Sequence, residues 1–461
     1  MTPFHPAFGY ARTVKRTLDA DLVIANLNNW IGRCENHHDV CTGSVSKLPR
    51  RVIDLSTDRP RLFETTRDHF GKYVTLSHCW GQDTRRQPTK TTWANIQARK
   101  REIDPNELCV LFRDVFDLVK KMGYQYVWID SLCIVQDDES DWQDQSTKMA
   151  DIYAGAFFHI AGTYAHDSSY SLYIDRRMIA SSGFGYPIET FDLAITGEDN
   201  LVKMRLSHER DHRFINIPPS EPKGKGCEQQ APLLARAWVL QERLLARRTL
   251  HFCGSELIWE CNSSYACECT IEPDTFESGF SGSSKQTSRF LTQEWAALVN
   301  QKCDKPRPPL RDLYHLWHEL INNYSKLVVT KLEDRCYALT GLASRFQRVA
   351  GDEYLAGLWT QDLPRNLLWS VFQPGLRSNI APTWSWISCY RLQKSGTNCP
   401  MFYYPWLKEF KKDERVRLHA SGTFCTAQRE SKFGPVTGQI ELEAPCIFGD
   451  FGYDDRFLLL P

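Results

Sequence analysis

Two short segments carry most of the side chains able to do chemistry. Ser77, His78, Cys79, Trp80 and Gly81 follow the compact run at residues 72–76, and Asp130, Ser131, Cys133 and Gln136 follow a second run at residues 126–129. Both runs are rich in β-branched and aromatic residues, which marks them as buried strands. The functional groups therefore sit at the carboxyl ends of two strands, where open α/β sheets bind their ligands. Taken singly, Ser77 and Asp130 read as turn caps and Cys133 as a packed thiol. Taken together, Ser77, His78, Trp80, Asp130, Cys133 and Gln136 predict a ligand site.

Acyl transfer is a poor fit for these residues. Neighbouring Ser77 and His78 point to opposite faces of a strand and cannot easily share a proton, and no Gly-x-Ser-x-Gly elbow is present. A second constellation, Cys34, His37, His38 and Cys41, has spacing that zinc can use. One short segment rarely wraps a tetrahedron unaided; Cys261, Cys267 and Cys269 could complete a site, but their spacing fits no common finger. The packed-turn reading is preferred and no metal ligand is assigned. Phosphate loop, dinucleotide-binding glycine fingerprint and metalloprotease helix are all missing from the sequence.

The elements that must position these groups follow from periodicity. Apolar residues at 108, 111, 112, 115, 119 and 122 are helically spaced and end at Gly123; acidic residues at 137–141 open a second helix with Trp142, Met149, Ile152 and Tyr153 on its apolar face. Residues 156–161 form a third strand. Strand-helix-strand-helix-strand predicts a parallel sheet with right-handed crossovers. Upstream, Val23, Leu27, Trp30 and Ile31 mark a helix, followed by a strand at 51–55. From about 167 to 232 the pattern gives way to an irregular insertion with some strand at 191–195. A helix resumes near Ala235, strands follow at 249–252 and 257–260, and a long amphipathic helix carries Leu313, Trp317, Leu320, Ile321, Tyr324 and Val328. Short β pieces close the chain, at 416–419 and 440–442.

Sequence length, 461 residues, argues for more than one packed unit. Lys+Arg and Asp+Glu are equal at 56 each, so no overall charge favours nucleic acid or an anionic membrane. No stretch has the length of a membrane span and the start lacks a signal-peptide core. The sixteen cysteines are dispersed, so reduced thiols in a cytoplasmic protein are expected.

Three ordered blocks carry a family resemblance. Residues 73–81 (YVTLSHCWG), 127–138 (VWIDSLCIVQDD) with its continuation Asp141-Trp142 and 149–156 (MADIYAGA), and 236–245 (RAWVLQERLL) closely resemble the fungal heterokaryon incompatibility (HET) domain. Trp30 with Cys34, His38 and Cys41, and downstream residues 334–342, 356–359 and 381–386, resemble the flanks common in large members. One departure is Val135, where many relatives carry Asn, so an amide is lost there.

The resemblance implies an N-terminal helical, Cys/His segment at 1–70, a HET domain at 71–252 interrupted at about 167–232, and a C-terminal α+β extension at 253–461. It implies nonself recognition, in which fusion of unlike cells triggers programmed cell death. The domain also resembles the Toll/interleukin-receptor (TIR) fold, a flavodoxin-like parallel sheet flanked by helices. Some TIR proteins hydrolyse NAD with a glutamate four residues after a tryptophan, a spacing that Trp238 and Glu242 reproduce on one helical face. That reading makes Glu242 the leading catalytic residue, Asp130 the reserve, and Trp80 or Trp238 a stacking group. NAD is then a substrate, and no resident cofactor is expected. The other reading is a non-enzymatic signalling module whose toxicity arises from an unknown protein partner, or from homo-oligomerisation when active.

Overall fold

The structure is a computed structural model. It describes residues 14–176 except 42 and 44, 231–269, 308–393 except 368 and 372–374, positions 295 and 298, and strand segments at 190–194, 201–205, 396–398, 402–403, 422–429 and 436–443. An eight-stranded sheet organises it, built from β1 (Arg51–Asp54), β2 (Arg61–Glu64), β3 (Tyr73–Ser77), β4 (Tyr126–Ile129), β5 (Phe158–Ala161), β6 (Arg248–Phe252), β7 (Leu257–Cys261) and β8 (Tyr265–Cys267), in the spatial order β8-β7-β6-β5-β3-β4-β1-β2. The four central strands, β6-β5-β3-β4, run parallel. β1 and β2 pair antiparallel beyond β4, and β7 and β8 antiparallel beyond β6. The expected architecture, a mixed α/β fold around a largely parallel sheet, is present, and the antiparallel margins enlarge it. The margins also carry the sheet across the expected boundary at residue 70.

The helices of this core are α1 (Ala20–His37), α2 (Ile96–Arg101), α3 (Val110–Lys121), the single turn α4 (Asp130–Cys133), α5 (Glu139–Gly155), α6 (Ala237–Leu245), α7 (Leu310–Tyr324) and α8 (Asp334–Ala350). Strand alternation assigns the two faces. Tyr73, Thr75 and Ser77 face α5: the Tyr73 hydroxyl donates to the Ile152 carbonyl at 2.6 Å, and Trp128, level with Thr75, meets the Tyr153 ring edge-on at 5.6 Å. α3 covers the other face, burying Leu111, Phe112, Val115 and Val119 and leaving its charged residues outside, and it stops where Gly123 adopts φ +78°. α1 packs against α3 and reaches β7, where Trp30 stacks on Trp259 at 6.1 Å.

α8 backs α5 and α6. Its Gly341 donates N–H to Gln241 Oε1 at 2.8 Å, and any Cβ there would lie 2.4 Å from the Cβ of Ala150, so only glycine permits this approach. Beyond it, Trp317, Phe346 and Trp359 meet ring to ring and extend the same hydrophobic core. The helix expected to reach Val328 ends at Tyr324, and Val328 instead pairs with Arg236 in a β-bridge.

Much of the expected insertion lies outside the described residues; within it Thr190–Ala194 and Leu201–Arg205 pair antiparallel. The expected strand at 416–419 lies outside as well, whereas 440–442 falls within Val436–Glu443, paired with Gly422–Arg429. Among the described residues no helix is long and apolar enough to cross a membrane.

Candidate functional site at the carboxyl end of the sheet

The parallel strands stand in the order second, first, third, fourth. The chain leaves β3 for β4 on one side, then crosses to β5 on the other, and it is at such a reversal that open α/β sheets place their ligands. Ser77 ends β3 at that point, and its carbonyl accepts the N–H of Gly162 just past β5 at 3.0 Å.

Ser77 donates a short hydrogen bond to Glu242, which α6 delivers from 165 residues away. The Tyr153 hydroxyl, rising from α5, shares hydrogen bonds with both. Glu242 is buried, with 7% of its surface exposed. Burial pushes its carboxyl up to about 7, against the Ser77 hydrogen bond, and the nearby charge of Asp130 adds to the rise. Burial, then Glu242 and Asp130, also hold the Tyr153 hydroxyl protonated well beyond its ordinary range.

On the other face lies His78, level with neither Ser77 nor Glu242 but edge-on to Phe112 of α3 at 5.1 Å. Burial lowers its imidazole to about 4, against the attraction of Asp130, so it is neutral at physiological pH. Its Nδ1 stands 3.7 Å from Asp130 Oδ1, and its buried Nε2 has no hydrogen-bond partner among the described residues. The half-exposed Asp130 opens α4 and accepts the indole N–H of Trp80 at 3.2 Å. Trp80 in turn stacks over His78 at 6.4 Å, with the Lys90 ammonium 4.7 Å from its ring centre. Arg236, at the start of α6, donates to the His78 carbonyl at 2.9 Å and hydrogen-bonds the buried Cys79 thiol.

Gly81 completes the loop. At φ +77°, a Cβ there would lie 2.6 Å from that of Asp167, so the loops after β3 and β5 can close only over glycine.

The structure thus joins Ser77 to Glu242, gathers His78 and Trp80 around Asp130, and links the two groups through the charge of Asp130 on Glu242. Three other expected residues stand apart from the hydroxyl-carboxyl network. Cys133 is buried in packing, its thiol pushed up to about 12 by burial against backbone hydrogen bonds from Ile129 and Ile53, and its carbonyl accepts from Arg51 at 2.8 Å. Gln136 braces the turn by donating to the carbonyls of Asp130 and Ile134. Trp238, four residues before Glu242, donates instead to Asp334 of α8 at 3.3 Å and meets Trp142 edge-on. Sequence reasoning missed Tyr153 and Arg236 as members of the site. Both lie inside the quoted blocks, where Tyr153 reads as one more apolar position of its helix. Val135 contributes its backbone N–H, to Asp141 at 2.8 Å, and buries its side chain.

Fold and site together define an α/β domain with a buried, hydrogen-bonded carboxyl at its switch point. Residues 73–242 match the family model described as heterokaryon incompatibility protein (HET). That interval begins at the first residue of β3 and ends on Glu242. Over 359 residues the chain is 24% identical to heterokaryon incompatibility protein 6, OR allele, of Neurospora crassa, covering 68% of this chain and 48% of the relative. The chain therefore spans about half the length of the curated relative it matches. No solved structure matches it. Residues 73–242 thus carry a HET domain.

Proposed function

We propose that the chain acts in heterokaryon incompatibility as an effector of cell death, and that its carboxyl-end site hydrolyses the bond between nicotinamide and ribose in NAD. One observation carries the reading: Glu242, a buried carboxyl lying at about 7, is held by Ser77 and Tyr153 at the sheet's switch point. When the glycosidic bond breaks, its electrons leave with nicotinamide and positive charge develops on the ribose, to which water then adds. A fixed carboxylate stabilises that charge and orients the ribose hydroxyls. With its titration near neutral pH, Glu242 can serve in either protonation state.

The surroundings suit the substrate. Trp80 offers a half-exposed ring for stacking, and Lys90 with Arg86, 3.8 Å from Asp167, places positive charge beside it for a diphosphate. The strand order is that of flavodoxin-like sheets, in keeping with the TIR resemblance. NAD enters this scheme as substrate, in a cytoplasmic protein.

The burial of Glu242 favours a second reading as well. In it, Ser77, Glu242 and Tyr153 staple α6 to β3, and toxicity comes from partner binding or oligomerisation. Glu242→Gln separates the two, because it keeps shape while removing the charge. NAD loss in vitro and toxicity on expression should fall at least ~100-fold, with thermal melting as the folding control. A folded Gln variant that kills at full strength gives the site to the second reading.

A further inference from the structure

At the opposite end of the sheet the fold completes a cluster that the local sequence leaves one ligand short. Cys34 lies in the last turn of α1, and His38 caps that helix, its N–H bonded to the Cys34 carbonyl at 3.2 Å. A single 3-10 turn then carries the chain to Cys41, whose N–H reaches the His38 carbonyl at 3.0 Å. These local bonds aim three ligand atoms at one point. The fourth arrives from the last residue of β7: Cys261 Sγ stands 3.3 Å from His38 Nδ1, across a sequence separation of 223.

All four ligand atoms lie within 4.8 Å of one another, and Cys34, Cys41 and Cys261 are buried. A zinc ion with ordinary Zn–S and Zn–N bonds requires ligand separations of about 3.5–3.8 Å, so side-chain adjustments of a few tenths of an ångström to about one ångström suffice. We propose that Cys34, His38, Cys41 and Cys261 bind one zinc ion in a closed tetrahedral site.

The shell around the cluster fits that occupant. Three thiolates and one zinc leave one net negative charge, and the buried Arg248 guanidinium supplies the positive one. Its Nε lies 3.3 Å from Cys34 Sγ, while its Nη1 and Nη2 donate to the carbonyls of Phe157 and Cys41 at 3.2 and 3.0 Å. Ser264 directs its N–H at Cys261 Sγ from 3.2 Å and its hydroxyl from 3.3 Å, as outer groups do around metal thiolates. Four protein ligands leave no open position, so the ion is structural and not catalytic. It ties the end of α1 to the antiparallel margin of the sheet. Thiolate-rich tetrahedral coordination selects zinc over magnesium or calcium.

The test uses the full chain, purified reduced and without chelator. Elemental analysis should find about one zinc per chain. Cobalt(II) replacing the zinc should give thiolate-to-cobalt charge-transfer bands and the intense visible bands of a four-coordinate ion. His38→Ala, at a half-exposed helix cap, should lose most of the metal while keeping the helical circular dichroism. Cys261→Ser should lose it too, and if that variant fails to fold, the cobalt spectrum of the native chain still decides. A metal-free reduced chain with no tetrahedral cobalt spectrum overturns the proposal, and so does a Cys34–Cys261 or Cys41–Cys261 disulfide found by mass spectrometry in the native chain.

Discussion

The two ends of the parallel sheet both bury polar groups, and they treat them in opposite ways. At the amino end, all three nitrogens of the Arg248 fork find acceptors, and the surrounding thiols and backbone close the space. At the carboxyl end the groups are left under electrostatic tension. A carboxyl is raised to about 7, an imidazole is lowered to about 4, and the imidazole's Nε2 lacks a partner among the described residues. A satisfied buried network specifies a fold, whereas an unsatisfied one costs stability and is kept where something else uses it. On the proposed reading, the contrast leaves architecture to the amino end and chemistry to the carboxyl end, and it can be broken by experiment.

Trp128 is the common support, since it lies mid-sheet, fully buried and against Tyr153. Trp128→Ala should cost about 3–5 kcal/mol in denaturant unfolding, with both ends lost in a single transition. A near-normal midpoint would mean that the two ends do not share this core.

The next effect is linked to pH. Glu242 ordinarily titrates at 4.5 and here at about 7, so between these values the native state holds the extra proton. Its contribution is therefore full below 4.5 and is lost as pH rises through 7, by roughly 3 kcal/mol. Buried His78, at about 4, and His159, at about 3, slope the other way: the native state keeps them neutral, and stability falls as pH drops below 6.5. Wild type should therefore show a muted profile. Glu242→Gln removes the falling component alone, so the variant should gain on wild type from pH 4.5 to above 7 in guanidinium titrations. Parallel profiles would show that the carboxyl is not strained.

The smallest effect sharpens the comparison locally. Gly81→Ala must adopt φ +77° and press on Asp167, whereas Gly123→Ala has nearly the same φ, +78°, and open space. Each should lose about 1–3 kcal/mol through strain, with Gly81→Ala the costlier. Equal melting temperatures for the two would deny the loop closure, and the amino-end cluster should be indifferent to either.

Sequence reasoning reached some of this and not the rest, for physical reasons. β3, α3, β4, α5 and β5 were legible because parallel strands buried on both faces read as short apolar runs between amphipathic helices. The place of β6 beside β5 was not, since the partner of Leu250 is Ile160, far away in sequence and across the insertion. Periodicity gives which face a residue takes and not what it meets there. Trp238 and Glu242 have the spacing of one helical face, yet the first bonds to Asp334 and the second to Ser77. The sequence offers Cys261 as a possible completion of the Cys/His set but cannot place it, for the same reason: its three companions lie within eight residues of one another, and it joins them only through sheet register, opposite Arg248.

The missing Cβ of Gly341 bears on how this module can be cut and moved. The matched interval ends at Glu242, one residue past Gln241, whose side chain is already committed to a helix a hundred positions downstream. A fragment limited to 73–242 would leave β5 without β6, baring a row of backbone donors and acceptors, and would strip α5 and α6 of their backing. The smallest transplantable piece therefore starts at or before Arg51 and continues through Ala350. Gene fusions drawn to the family boundary would deliver an aggregate in place of a working graft.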